Sequence, residues 1–306
     1  MSTVDNNNKD DIPNICANCG KGEDSTKSLK ACTACKLVKY CNRECQIAHR
    51  SQHKKTCKKR AAELYDEALF KEVEPEDCPI CFLRMPYLMS GSRYKACCGK
   101  VICSGCIFAP VYDHEGNLLA ETCPFCRTPP PTSDEEALKR IQKRAETGDA
   151  EAITNMGLYY RKGMYGLPQD YDKGSELYHQ AAKLGHSTAY FLIGSNYRLG
   201  RGVEKDREKA KHYYELATME GHVQARHNLG MIEGQAFNFD RALRHFMIAV
   251  KGGSNESLGI IRKMVTNGHT KDDYTKALKS YQSYLDEIKS DQRDKAASAD
   301  DEYKYY

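Results

Sequence analysis

This sequence of 306 residues predicts a multidomain chain, two small metal-stapled modules followed by an all-α solenoid of helix pairs. Three observations carry that prediction. All fifteen cysteines lie between Cys16 and Cys126, most of them in Cys-x-x-Cys pairs. A proline run, Pro129 to Pro131, closes the cysteine-rich part. Beyond it a block recurs every 36 to 37 residues, marked by Gly157, Gly194 and Gly230. A fixed period of that length means stacked helix pairs.

Residues 1–13 are polar, hold no apolar signal segment and read as a disordered tail. No apolar run approaches the roughly 20 residues that a membrane span needs. No membrane partner is expected, and the expected location is intracellular, cytoplasmic or nuclear. A disulfide framework would need an oxidising compartment, whereas metal binding fits a reducing one and the cysteine spacing. The formal charge is +4, but fifteen thiolates on four divalent ions would remove seven charges and leave the chain near −3. The basic balance is therefore no argument for nucleic acid as a partner. The run KKTCKKR, residues 54–60, reads as a solvated helix face beside thiolate charge. A nuclear address or a phosphate-binding patch is the sharper alternative.

The first module spans residues 14–60. Its pattern is Cys16-x-x-Cys19, Cys32-x-x-Cys35, Cys41-x-x-x-Cys45 and His53-x-x-x-Cys57. Eight such ligands suit two tetrahedral zinc ions. The two i to i+4 pairs can each lie on one helix face. His49 competes with His53 but lies two turns from Cys57, and reads as a packed or exposed helix residue. Spacing alone leaves sequential and interleaved pairing open. The string YCNRECQIAHRSQHKKTC, residues 40–57, resembles the MYND zinc finger. The resemblance implies an interleaved cross-brace: Cys16, Cys19, Cys41 and Cys45 on one ion, Cys32, Cys35, His53 and Cys57 on the other. It also implies binding of short proline-containing peptides from partner proteins. The tryptophan usual after the first histidine is Arg50 here, which puts the aromatic part of that groove in doubt.

Residues 61–75 follow as a short linker helix, since Ala61, Leu64, Tyr65, Ala68 and Leu69 recur at helical spacing. The second module spans residues 76–128, with Cys78, Cys81, Cys97, Cys98, Cys103, Cys106, Cys123 and Cys126. Its ends, CPIC and CPFCR, resemble the RING finger. In that family a histidine usually follows the middle Cys-Gly, and here Lys100 fills the slot. An ammonium has no lone pair for zinc. A ligand is missing unless Cys97 supplies it. Neighbouring residues can do so, because zinc-bound sulfurs sit about 3.8 Å apart, close to the spacing of adjacent Cα atoms, and Gly99 lets the backbone bend. Were Cys97 a bystander, one zinc would keep an open position and hydrolytic chemistry would be conceivable, but no carboxylate base is visibly paired with the site. With Cys97 the count closes at sixteen ligands, fifteen cysteines and His53, for four zinc ions.

By the resemblance, Cys78, Cys81, Cys103 and Cys106 share one ion, and Cys97, Cys98, Cys123 and Cys126 the other. It further implies ubiquitin ligase activity without a covalent catalyst. The module would bind a charged ubiquitin-conjugating enzyme and hold its thioester in reactive geometry. Ile80, Pro124 and Arg127 match the family's contact positions. The groove tryptophan of many members is absent, the chain having no Trp, and Phe108 is the candidate substitute.

Residues 129–135 form a stiff proline-rich linker, and Ser133 with Glu136 suggests a capping box. The solenoid is expected over residues 136–286. Gly-rich turns at 163–166 and 200–202 end the first helix of each unit, and Gly185 and Gly221 fit left-handed caps. Mid-helix glycines recurring at one phase suggest close helix approach. Tyr274, Leu278, Tyr281 and Leu285 mark a degenerate fourth unit. The stretch LIGSNYRLGRGVEKDREKAKHYYELA, residues 192–217, resembles the Sel-one-like repeats, relatives of the tetratricopeptide solenoids. That resemblance implies a scaffold for protein complexes. Residues 287–306 read as a charged, disordered tail. Two functions remain open: a RING-type ubiquitin ligase using the solenoid and MYND finger to recruit partners, or a non-catalytic zinc-finger adaptor.

Overall fold

The computed structural model describes residues 13–23, 28–87, 89–110, 115, 122–266 and 271–306. Apart from Pro13, the tail expected over residues 1–13 lies outside the described residues. The chain divides into two units, residues 1–71 and 72–306.

In the first unit, β1 (Lys30–Ala31) pairs antiparallel with β2 (Lys39–Tyr40). Helix α1 (Arg43–Ala48) follows, capped by the Asn42 side chain, which accepts from the Cys45 N–H at 2.8 Å. The core is small: Leu29 and Tyr40 beside Cys16, Cys32 and Cys35. A module of this size cannot bury enough surface alone, and metal usually replaces the missing core. Helix α2 (Arg50–Leu69) runs unbroken from the finger through the region expected as a separate linker helix. Lys58, Lys59 and Arg60 are good helix formers, and Arg60 is held by Glu63 and Glu67 at 3.3 and 2.8 Å. Nothing there stops the helix.

The second unit opens with a hairpin, β3 (Ser92–Lys95) against β4 (Lys100–Cys103), and a short helix α3 (Ser104–Phe108). Helix α4 (Asp134–Glu146) leads into four antiparallel pairs. These are α5 (Ala150–Lys162) with α6 (Tyr171–Lys183), α7 (Ser187–Leu199) with α8 (Arg207–Met219), α9 (Val223–Gln235) with α10 (Phe239–Lys251), and α11 (Asn255–Thr266) with α12 (Lys271–Ile288). Helix α13 (Asp291–Ala299) comes last. Only half of the expected capping box forms on α4. Ser133 accepts from the Glu136 N–H at 3.2 Å. The Glu136 carboxylate instead takes the Thr132 N–H and hydroxyl, each at 2.8 Å.

One contact repeats through the solenoid. A Cβ on Gly157 would lie 2.7 Å from the Tyr178 ring, on Gly194 2.8 Å from Tyr214, and on Gly230 2.6 Å from Phe246. Each glycine in a first helix admits a buried aromatic ring from the second. The mid-helix glycines, which cost about 1 kcal/mol each in isolation, are therefore the price of closely packed helices. Gly185 and Gly221 take φ of 81° and 84° and close their units through the left-handed conformation. In the shortened third turn Phe237 adopts φ 61°, the conformation that Gly163 and Gly200 supply in the first two.

The second cysteine module packs into the solenoid. Tyr94 donates to Asp149 at 2.8 Å. Arg84 pairs with Glu287 and donates to the Lys251 carbonyl at 2.9 Å. The Tyr87 N–H donates to the Tyr284 hydroxyl at 2.7 Å. Between the module, residues 72–76 and the inner helix ends lies a cavity of about 810 Å³. The stretch after residue 287 differs from its expectation as a disordered tail. Arg293 and Ala296 of α13 are fully buried, as is Tyr305. Its charge-rich composition conceals this, because the buried charged residue, Arg293, has its partners in another element.

Candidate metal centres

Four Cys-x-x-Cys turns share one local geometry. In each, the residue after the second cysteine returns its N–H to the first cysteine's carbonyl. Gly20 bonds to Cys16 at 2.9 Å, Lys36 to Cys32 at 3.0 Å, Phe82 to Cys78 at 2.9 Å and Arg127 to Cys123 at 2.8 Å. All four returning residues take φ between 57° and 72°. Only the first is glycine, so the other three hold a left-handed conformation that costs L-residues roughly 1–2 kcal/mol. The turn aims both thiols to one side.

The structure brings the sixteen candidate ligands into four groups of four: Cys16, Cys19, Cys41 and Cys45; Cys32, Cys35, His53 and Cys57; Cys78, Cys81, Cys103 and Cys106; Cys97, Cys98, Cys123 and Cys126. Within each group the ligand atoms all lie within 4.8 Å of one another. Cys19 and Cys41 sulfurs lie 3.7 Å apart, Cys32 and Cys57 3.7 Å, Cys81 and Cys103 3.7 Å, and Cys97 and Cys126 3.4 Å. The Cys35 sulfur is 3.2 Å from His53 Nε2. Sulfurs at about 2.3 Å from a tetrahedral zinc would be about 3.8 Å apart, so the groups fit that ion.

His53 and Cys57 share α2 as their spacing suggests, but Cys41 precedes the cap of α1 and only Cys45 is helical. His49 joins no group. Its Nδ1 meets the Tyr40 hydroxyl at 3.1 Å and its ring stacks on His53 at 5.7 Å, which orients the His53 imidazole. Cys97 and Cys98 sit in the β3–β4 turn, which Gly99 bends at φ 69°. Lys100 is exposed, and its ammonium lies over the Phe125 ring at 6.0 Å.

The close approach of the sulfurs shows in the acid–base character of several thiols. At Cys16 burial raises the thiol pKa, yet N–H groups of Cys19, Cys41 and Asn18 hold it down at about 6. The Cys45 thiol, with burial, pushes Cys41 up to about 12. Burial and the Cys32 and Cys35 thiols push Cys57 up to about 12. In the fourth group Cys126 is held near 6, burial being outweighed by bonds from Thr128. There burial pushes Cys98 up to about 11. Within a group, one thiol is lowered while its neighbours are raised, as expected where acidic groups crowd together.

Two arginines that the sequence did not single out reach the second module. Arg144 of α4 donates to the Ala96 and Cys97 carbonyls at 3.4 and 3.2 Å. Arg293 of α13 reaches Cys81, 212 residues away in sequence. No local signal could reveal either, since both partners lie in distant elements. Of the expected contact residues, Ile80 and Pro124 are half-buried in their turns and Arg127 is exposed. Phe82 and Phe125 are 76% and 44% exposed. Phe108 is 44% exposed and meets Tyr303 edge-on at 5.9 Å.

Comparison with known families matches residues 16–57 to the MYND finger and residues 150–186 and 187–222 to the Sel1 repeat. The chain thus carries a MYND zinc finger and Sel1 repeats, both protein-interaction modules. It is 31% identical over 105 residues to an ERAD-associated E3 ubiquitin-protein ligase component, HRD3B, of Arabidopsis thaliana, covering 32% of this chain and 17% of that protein. It is 37% identical over 70 residues to the E3 ubiquitin-protein ligase GW2 of Oryza sativa, covering 23% of this chain and 15% of that protein. The chain therefore spans under a fifth of these relatives. A Sel1 repeat protein from Oxalobacter formigenes is similar in structure, with 26% identity and a TM-score of 0.42, covering 55% of this chain and 65% of that one. No helix among the described residues is long and apolar enough to cross a membrane.

Proposed function

We propose that the chain binds four zinc ions through the sixteen ligands named above and acts as a RING-type ubiquitin ligase. Residues 76–128 recruit a ubiquitin-conjugating enzyme, and the MYND finger and repeats recruit proteins to be modified. The observation that supports this most is the interleaving of the second module. Its first and third cysteine pairs, Cys78/Cys81 and Cys103/Cys106, form one group, while Cys97/Cys98 and Cys123/Cys126 form the other. That pairing sets two Cys-x-x-Cys turns, carrying Ile80 and Pro124, on a rigid base with exposed Phe82, Phe125 and Arg127. The ligase names among the similar proteins agree with this assignment.

Such a module performs no bond chemistry itself. It contributes orientation, holding a thioester and an incoming amine in reactive geometry. Zinc, when bound, supplies structural cross-linking only, all four positions being protein ligands.

A self-ubiquitination assay against a panel of conjugating enzymes tests the proposal. Activity should fall at least about tenfold in Ile80→Ala and in Arg127→Ala, as for truncation of interface anchors. Absence of activity with every enzyme in the panel would favour the adaptor role. The adaptor has two specific observations behind it: the chain contains no tryptophan for the groove, and the substitute Phe108 already packs on Tyr303.

A further inference from the structure

A buried guanidinium stands beside one cysteine group of the second module. Arg293 is 0% exposed. Its Nη1 donates to the Arg84 carbonyl at 2.8 Å and to the Ile288 carbonyl at 2.7 Å. Its Nη2 donates to the Leu83 carbonyl at 3.4 Å and to the Cys81 sulfur at 3.9 Å. Arg84 and Leu83 directly follow the Cys78–Cys81 turn, and Ile288 ends the last helix of the solenoid. One side chain therefore joins the thiol group, the chain leaving it and the solenoid's end.

The charge balance explains why a guanidinium belongs there. Four thiolates on a divalent ion carry a net charge of −2. Cys78, Cys103 and Cys106 are at most 4% exposed, so water screens this charge poorly. A buried guanidinium is costly unless an opposite charge accompanies it. Each group meets the other's need. The fit is also steric: a Cβ on Gly105, in α3 next to Cys106, would lie 2.8 Å from Arg293 Cγ. Further contacts hold the same segment on the module. Arg93 pairs with Glu302 at 2.7 Å, and Phe108 meets Tyr303.

We propose that Arg293 is the positioning counter-charge of the Cys78, Cys81, Cys103 and Cys106 zinc site, so that metal retention there and docking of residues 291–306 form one coupled equilibrium. The proposal rests on that group holding zinc. Without the ion nothing holds the four sulfurs together, and Arg293 loses the fixed anionic group that it faces. The C-terminal segment then undocks. Conversely, removing the guanidinium exposes the Cys81 thiolate to exchange.

The test uses the full chain. Zinc per chain is counted by native mass spectrometry during stepwise chelation, with hydrogen exchange of residues 291–306 read at each step. In the wild type, protection of that segment should be lost as zinc leaves the second module. Arg293→Met should release one zinc about 10- to 100-fold faster, the usual effect of losing an outer partner of a metal ligand. Arg293→Lys, which keeps the charge but not the forked hydrogen bonds, should fall between. In cobalt-loaded protein Arg293→Met should shift the sulfur-to-metal charge-transfer band, which a packing change alone would leave in place. Wild-type protein with zinc on the second module, whose segment stays protected after that zinc leaves, overturns the coupling even if the variants misfold. So does Arg293→Met releasing zinc at the wild-type rate. A chain with zinc only on Cys16 to Cys57 overturns the zinc assignment of the second module and the coupling with it.

Discussion

Lys100 points its ammonium over the Phe125 ring while the neighbouring backbone turns two consecutive thiols inward. An ammonium cannot coordinate zinc, and Cys97 stands with Cys98, Cys123 and Cys126 in one group of four. Cys97 and Cys98 are spread over a hairpin turn that Gly99 bends at φ 69°, and we propose both as zinc ligands. Cys97→Ser should lower zinc per chain from about four to about three, or leave the fourth in fast exchange, because a hydroxyl is a much poorer zinc donor than a thiolate. Elemental analysis after gel filtration reads this directly. An unchanged, slowly exchanging four would remove Cys97 from the ligand set. Cysteine spacing pointed to fifteen of these sixteen ligands from the sequence, and the inability of lysine to coordinate pointed to the last. Arg144 and Arg293 were illegible, because an arginine's partner 47 or 212 residues away leaves no local pattern.

Helix pairs are set by small residues meeting large ones. Gly157, Gly194 and Gly230 face Tyr178, Tyr214 and Phe246, and this contact identifies α9 with α10 as a third repeat outside the residues matched to the family. Gly194→Ala improves local helix propensity by about 1 kcal/mol but drives a methyl to 2.8 Å from the buried Tyr214 ring. Overpacking of this kind costs about 1–3 kcal/mol, so net destabilisation is expected. Urea unfolding should show it, while Gly148→Ala, which meets nothing within 4 Å, gives no such steric cost and suffers only from its φ of 81°. A stabilised Gly194→Ala would mean that the helices can separate freely. Repeat phase was readable before the structure because glycine recurrence is periodic. The unbroken α2 and the half-formed box at Ser133 were not, because helix ends depend on which of several local acceptors wins.

In the second unit a cysteine module packs against a solenoid that has its own aromatic core. Chelation should therefore cost the cysteine modules their structure while most helical circular dichroism persists, with proteolysis opening first between residues 72 and 128. Loss of all helix in the same step would show that the repeats depend on zinc. A second dependence is on acid. Burial, reinforced by Arg226, Arg241, Arg244 and Lys211, pushes His245 down to about 3, and burial with His186 pushes His222 down to about 4. Their unfolded values lie near 6.5. Below that pH the unfolded chain takes up protons that the folded chain refuses, so stability is full above about 6.5 and falls on acidification toward 4. Denaturation of zinc-free protein at pH 5 and 7.5, which avoids acid release of metal, should show this slope, and His245→Gln should flatten it. An equal slope in the variant would clear His245 of the effect.

The cysteine groups, the MYND finger and the repeat phase were all present in the order of residues. Each is a short-range pattern: a thiol pair across one turn, a glycine once per helix pair. What only the tertiary structure decided is that the second module is built into the solenoid, and that the charged C-terminal stretch holds a helix anchored by buried Arg293 and Ala296. Those outcomes depend on Arg144, Arg293 and Tyr284 finding partners far away in the chain. A buried charge is tolerated only where an opposite charge or a set of carbonyls meets it, and composition along the chain carries no record of that meeting.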